Sequence, residues 1–208
     1  MIGIVDYGVG NLFSLRCSFA AIGEEAAVSG DPEFLRTADK LILPGVGAFA
    51  DAARKLRETG LDDFLREQTA AGKPLMGICL GMQLLFDRSL EFGEHEGLGL
   101  IAGSVVPIAD AIPPGLKIPH IGWNALDIVK DSPLLADVRS GEYVYFVHSY
   151  YAAMCDEAVI ARTEYGAPLT AAVQAGNVYG CQFHPEKSGP VGLRILKAFA
   201  AMKEGEAC

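Results

Sequence analysis

The chain has 208 residues, half of them apolar and 21% charged, with a net charge of −9. That length and balance suit one globular domain (1–208) with a substantial core. The acidic excess without any basic run argues against a nucleic-acid surface, and no apolar stretch approaches the roughly 20 residues that span a bilayer.

Taken in order, short Ile/Val/Leu-rich runs alternate with helix-like segments through the first half. Met1 to Val5, Lys40 to Leu43 and Pro74 to Ile78 read as strands, the first in place of a leader peptide. Leu12 to Ile22, Ala48 to Ala71 and Met82 to Arg88 read as helical stretches. This alternation predicts an α/β fold, a mostly parallel central sheet with helices on both faces. The second half changes character: Ile101 to Pro107, Ala125 to Val129, Tyr143 to Tyr151, Ala158 to Arg162, Thr170 to Gln174 and Val178 to Phe183 are strand-like. They predict a small antiparallel or mixed extension, closed by an amphipathic helix from Pro190 to Met202. The Pro/Gly-rich stretch Ile108 to Trp123 reads as a surface loop whose Ile118, Ile121 and Trp123 tuck under the domain, with a partner site as the alternative.

Five cysteines, an odd number without a CxxC pair, point to reduced cytoplasmic thiols rather than a disulfide framework. The four histidines show no metal-ligand spacing, so neither a metal nor another cofactor is expected. Cys17, Cys155 and Cys181 read as inert buried thiols and Cys208 as an exposed terminal one.

Cys79 stands apart. Gly77-Ile78-Cys79-Leu80-Gly81-Met82-Gln83 reads as a strand end, a tight turn and a helix start, with the cysteine at the apex. Flanking glycines permit the sharp turn, and the sulfur lies at the positive end of a helix dipole. Downstream, Pro185 biases His184 to extended geometry, and residues i and i+2 of an extended chain project together. Glu186 is then placed to orient the His184 ring while the ring's other nitrogen faces the thiol, the nucleophile–base–orienter logic of a triad. Pro44-Gly45-Val46-Gly47, after a strand, is a turn whose amides can meet an oxyanion, with the Leu80 amide as second donor. Gln83, one helical turn past Cys79, and His148-Ser149-Tyr150, at a strand end, are candidates to hold a small substrate. Gly8-Val9-Gly10-Asn11 lacks the third glycine of a dinucleotide fingerprint.

Together these motifs resemble the class I glutamine amidotransferases, in the same order and across nearly the whole chain. Asp6–Leu12, Pro44–Phe49, Pro119–Asn124, Phe146–Tyr150 and Gln182–Ser188 are similar, more narrowly, to glutaminase subunits of imidazole glycerol phosphate synthase. The resemblance implies a Cys79–His184–Glu186 triad that hydrolyses L-glutamine through a thioester. It implies an oxyanion hole from Gly45, Val46, Gly47 and Leu80, and glutamine binding by Gln83, His148, Ser149 and Tyr150. The implied partner is a (β/α)8-barrel cyclase subunit that uses the ammonia in histidine biosynthesis, with Asn11, Pro119, Ile121, Trp123 and Lys187 facing it or the ammonia path. It also implies a glutaminase nearly silent until the cyclase binds its nucleotide, with the Pro44–Gly47 turn as the switch. Amidotransferases of purine, anthranilate or pyridoxal phosphate synthesis share the triad and form the alternative.

Overall fold

A computed structural model describes residues 1–203. The first half runs β1 (Ile2–Val5), α1 (Leu12–Ala21), β2 (Ala26–Ser29), α2 (Pro32–Arg36), β3 (Lys40–Leu43), α3 (Phe49–Thr59), α4 (Leu61–Ala70), β4 (Leu75–Ile78) and α5 (Leu80–Gln83). The second half runs β5 (Phe86–Ser89), β6 (His95–Glu96), β7 (Ile101–Pro107), β8 (His120–Ala125), β9 (Asp127–Ile128), β10 (Tyr143–His148), β11 (Tyr150–Ala153), β12 (Val159–Glu164), β13 (Pro168–Ala175), β14 (Val178–Cys181) and α6 (Gly189–Ala201). The main sheet has the order β2-β1-β3-β4-β14-β13-β12-β9. Its first five strands are parallel, and antiparallel pairing begins at β14–β13. A four-stranded sheet (β11-β7-β5-β6) and a β10–β8 ribbon complete the expected extension.

Strand alternation sorts the core onto two faces. Leu41 and Leu43 pack with Phe49 and Leu56 of α3 and Phe64 and Leu65 of α4. Their neighbour Ile42 packs with Leu15 and Phe19 of α1 and Ile195 and Phe199 of α6 on the other side. Both faces are covered, which is why β1, β3, β4 and β14 are buried throughout. Among the described residues no helix is long and apolar enough to cross a membrane.

Several expectations need correction. Helix does not continue from Met82 to Arg88: α5 is a single turn, and β5 follows at Phe86. Leu84 and Leu85 turn their carbonyls to the amides of Leu98, Leu100 and Ile101, so tertiary pairing diverts the groups that would propagate a helix. The Ala48–Ala71 stretch divides at Gly60, whose left-handed backbone (φ 69°) ends α3 and starts α4. The strand predicted from Tyr143 to Tyr151 breaks at Ser149, between β10 and β11. Three apolar residues of the Pro/Gly-rich stretch, expected to tuck under the domain, face outward instead, Ile118 at 43%, Ile121 at 59% and Trp123 at 53% exposure. The last two alternate along β8, a ribbon strand that leaves one face uncovered. Cys17 is exposed rather than buried; Cys155 and Cys181 are buried, and Cys208 lies outside the described residues.

The ends of β1, β3, β4 and β14 lie together at the carboxyl edge of the parallel sheet, where ligands bind in open α/β folds. There the elbow glycines are obligatory. A Cβ on Gly81 would lie 1.8 Å from the Leu43 carbonyl oxygen, and one on Gly77 would lie 2.5 Å from that of Gly81. Gly47 differs, with a positive φ of 94° but open space around it. Gly81→Ala should therefore cost more than about 3 kcal/mol by overpacking, and Gly47→Ala only about 1–2 kcal/mol of left-handed strain. Urea unfolding of the two variants checks the ranking.

Candidate active site

Cys79 sits between β4 and α5 with φ 55° and ψ −112°, a conformation that costs a non-glycine residue about 1–3 kcal/mol. The surrounding strands impose it: the Cys79 amide donates to the Cys181 carbonyl at 2.7 Å, continuing the β4–β14 ladder one residue past Ile78. Cys79 lies on the wall of a cavity of about 520 Å³, together with Val46, Gly47, Leu80, Gln83, Pro119, His148, Ser149, Tyr150, His184 and Lys187. Most of the expected site residues thus meet in one cavity. Gly45 lies behind it, wedged so tightly that a Cβ would come within 2.7 Å of the Gly81 amide nitrogen. Glu186 lies behind His184, and Asn11, Ile121 and Trp123 are outside the cavity.

His184 follows β14. Its amide donates to the Tyr145 carbonyl at 2.9 Å, and its carbonyl accepts from the Ser188 hydroxyl at 2.6 Å, fixing the segment on two sides. Phe183, between the two polar residues, turns into the core against Phe146, so Gln182 and His184 project the other way. The His184 Nδ1 meets Glu186 Oε1 at 2.8 Å, both side chains being almost wholly buried. Burial by itself would lower the imidazole pKa; its hydrogen bonds with Cys79 and Glu186 outweigh that and lift it to about 9. Glu186 Oε2 has no hydrogen-bond partner among the described residues. The buried carboxylate therefore depends on the His184 imidazolium for compensation.

The other wall reverses this logic. His148 donates through Nδ1 to the Tyr150 carbonyl at 2.9 Å, which leaves Nε2 as the acceptor for His120 Nδ1 at 3.0 Å. Asn124 completes the chain, its amide 3.4 Å from His120 Nε2. His120 is stacked between Phe146 and Tyr165. Desolvation pushes both His120 and His148 down to about 4, so both rings are neutral at pH 7. With both ring nitrogens engaged, His148 shapes the pocket wall, and Ser149 supplies a side-chain hydroxyl beside it.

Four features escaped the sequence reading. Tyr7 donates its hydroxyl to the Pro44 carbonyl at 2.7 Å, anchoring the start of the Gly45–Gly47 turn. Glu91 and Phe92 reach the cavity from the loop after β5, with Glu91 also accepting the Phe49 amide at the start of α3 at 2.5 Å. Nothing in the sequence near Glu91 and Phe92 shows that their loop folds back onto the cavity. His120 is the partner of His148 within the Pro119–Asn124 motif. Gln182, fully buried, places its amide nitrogen 3.8 Å from Cys79 Sγ. Its signal was present in its i−2 spacing from His184.

The glutamine amidotransferase class-I family model matches residues 4–202. An imidazole glycerol phosphate synthase subunit HisH of Caldanaerobacter subterraneus is 49% identical over 97% of this chain and 98% of its own. Those of a Geobacillus species and of Methanothermobacter thermautotrophicus are 52% and 51% identical, over 99% and 96% of this chain and 99% and 97% of theirs. Among solved structures, a glutamine amidotransferase crystal structure superimposes with a TM-score of 0.74 at 22% identity, covering 95% of this chain and 96% of that one. The PurLQS structure from Thermotoga maritima gives 0.75 at 21% identity with the same coverage. At those identities the structural matches speak for the fold, a class I glutamine amidotransferase α/β fold. The sequence matches go further: this chain belongs to the class I glutamine amidotransferase family and, within it, to the HisH subunits of imidazole glycerol phosphate synthase.

Proposed function

We propose that the whole chain acts as one glutaminase domain whose Cys79, His184 and Glu186 hydrolyse L-glutamine and release ammonia to a cyclase. The observation that carries the reading is the meeting, in one cavity, of a strained cysteine with a buried His184–Glu186 pair. The Cys79 thiolate attacks the side-chain amide carbon of glutamine. The resulting oxyanion is met by the Leu80 amide and by an amide of the Gly45–Gly47 turn, worth on the order of 10²–10³ in turnover per donor. The His184 imidazolium protonates the departing ammonia, and a glutamyl thioester remains on Cys79. His184, now neutral, takes a proton from water as it attacks that thioester. Glutamate leaves and the sulfur regains its charge.

The substrate's amino-acid end is held by the opposite wall. Among the described residues Glu91 is the single acidic side chain on the cavity lining, and it suits the α-ammonium. Gln83 offers its carbonyl oxygen, since its amide nitrogen already donates to Tyr150 and Gln182. The Ser149 hydroxyl lies beside them.

The partner we propose is a (β/α)8-barrel cyclase of histidine biosynthesis, docked over the exposed Val46, Ile121 and Trp123, with Asn11, Pro119 and Lys187 lining the way for ammonia. Relatives of the chain are named as subunits of a synthase, which accords with such a complex. In the Gly45–Gly47 turn the pivot lies at Val46 and Gly47, which face open space, while Gly45 is wedged behind them. Among the described residues Cys17, Cys79, Cys155 and Cys181 are free thiols, which suits a reducing cytoplasm.

Glutamate release by the purified chain should be low alone and rise steeply with the cyclase and its nucleotide. Cys79→Ala should lower the stimulated rate by about 10⁴-fold or more while leaving far-ultraviolet circular dichroism unchanged. Retained activity in Cys79→Ala would remove the nucleophile assignment. Glu91→Gln should raise the glutamine KM by about 10-fold or more with kcat nearly kept, the pattern of a group that binds substrate and transition state alike. A collapse of kcat at constant KM would place Glu91 elsewhere in the mechanism.

A further inference from the structure

We infer that Gln182 is a catalytic residue of this site, its side-chain amide donating to the Cys79 sulfur and holding the charge that the sulfur carries before attack and after release. The inference rests on Cys79 being the nucleophile. It begins at the Tyr150 carbonyl, which can only accept hydrogen bonds. Gln83 Nε2 donates to it at 3.1 Å, and that settles which way round the Gln83 amide lies. The second hydrogen of that nitrogen goes to Gln182 Oε1 at 3.0 Å, so the Gln182 oxygen is also settled. The Gln182 nitrogen must then face the opposite way, and there it meets Cys79 Sγ at 3.8 Å. Each amide orientation follows from the one before, and the first follows from a backbone group.

Placement is rigid rather than opportunistic. Gln182 is wholly buried, and its own amide donates to the Ala171 carbonyl at 2.8 Å. Cys79 is tied to the same strand through its 2.7 Å bond to Cys181. Nucleophile and donor thus each sit one residue past the end of adjacent parallel strands held in fixed register. A buried primary amide nitrogen without an acceptor is costly, and the sulfur is the acceptor this one meets.

The sulfur has a second polar neighbour of opposite preference. The Val147 carbonyl lies 3.9 Å from Sγ and can only accept, so it favours the protonated thiol. The Gln182 N–H bonds a sulfur anion more strongly than a neutral sulfur, so it favours the thiolate. The titratable groups that also face Cys79 are His184 and Tyr7, with His148, Glu91 and Lys187 on the lining of the same cavity. Tyr7 has its hydroxyl committed to Pro44, and His148 has both nitrogens engaged. Gln182 is the uncharged donor left to the anion. It gives up no proton: sulfur passes from thiolate to thioester and back while the amide stays neutral.

The test is the pH dependence of Cys79 alkylation by iodoacetamide, followed by peptide mapping so that exposed Cys17 does not interfere. Alkylation needs neither glutamine, nor an oxyanion hole, nor the cyclase. It therefore separates a sulfur effect from loss of Gln83 positioning. In Gln182→Met the alkylation midpoint should rise by about one pH unit, a tenfold loss of thiolate fraction at a fixed pH below it, with the high-pH plateau kept. Gln182→Glu, which keeps an oxygen for Gln83 but turns a carboxylate on the sulfur, should raise the midpoint further and serves if the Met variant does not fold. Midpoints equal to wild type in the folded variants would overturn the assignment. Failure of the nucleophile reading is seen separately, as glutaminase activity surviving in Cys79→Ala.

Discussion

The contact of Gly81 with the end of β3 organises this molecule. The Leu43 carbonyl lies where a side chain at position 81 would begin, so α5 starts hard against the neighbouring strand. That closeness forces the chain to turn within one residue of β4, and Cys79 takes the strain. The same closeness carries the Gly45–Gly47 turn up to the amides that follow Cys79. Cys79 and the Gly45–Gly47 turn are therefore two sides of one packing contact. A parallel sheet buried on both faces makes it rigid, and strain stored at Cys79 persists because the strands leave the chain no other course.

Polar order around the site radiates from the Tyr150 carbonyl. It accepts from both Gln83 and His148, and so sets the direction of two chains of hydrogen bonds. One runs through Gln83 and Gln182 to the Cys79 sulfur; the other runs through His148 and His120 to Asn124. Histidines in one small region consequently behave in opposite ways. His148 and His120, buried without a carboxylate, are driven down to about 4, whereas His184 is lifted to about 9 by Cys79 and Glu186. The neutral pair builds a wall, and the charged one is the proton donor we propose. Neighbours decide the role, not residue type.

Much of this is legible in the amino-acid sequence. Alternating apolar runs located β1, β3 and β4 closely, because strands buried on both faces are written as unbroken aliphatic stretches. The elbow and His184-Pro185-Glu186 were legible because glycine and proline restrict the backbone in known directions. What stayed hidden depended on distant parts of the chain. Leu84-Leu85-Phe86 suits helix and strand equally, and pairing with residues 98–101 ends the helix in a turn and starts β5 at Phe86. The short α2 escaped although Asp31 caps it and Pro32 opens it, a start signal that five residues do not amplify. Ile121 and Trp123 looked like core and prove exposed, since hydropathy reports the wish for burial and not the surface that satisfies it. Glu91 reaches the cavity from a loop whose position only the fold determines.

The central claim is that Cys79 carries the glutamyl group during turnover. The most direct measurement is acid quenching of the chain while it turns over glutamine with cyclase and nucleotide, followed by intact-mass analysis and peptide mapping. One glutamyl group on the Cys79 peptide, absent when glutamine is omitted, is the predicted result. Sustained glutamate release with no adduct on Cys79, or with the adduct on another residue, would contradict the account.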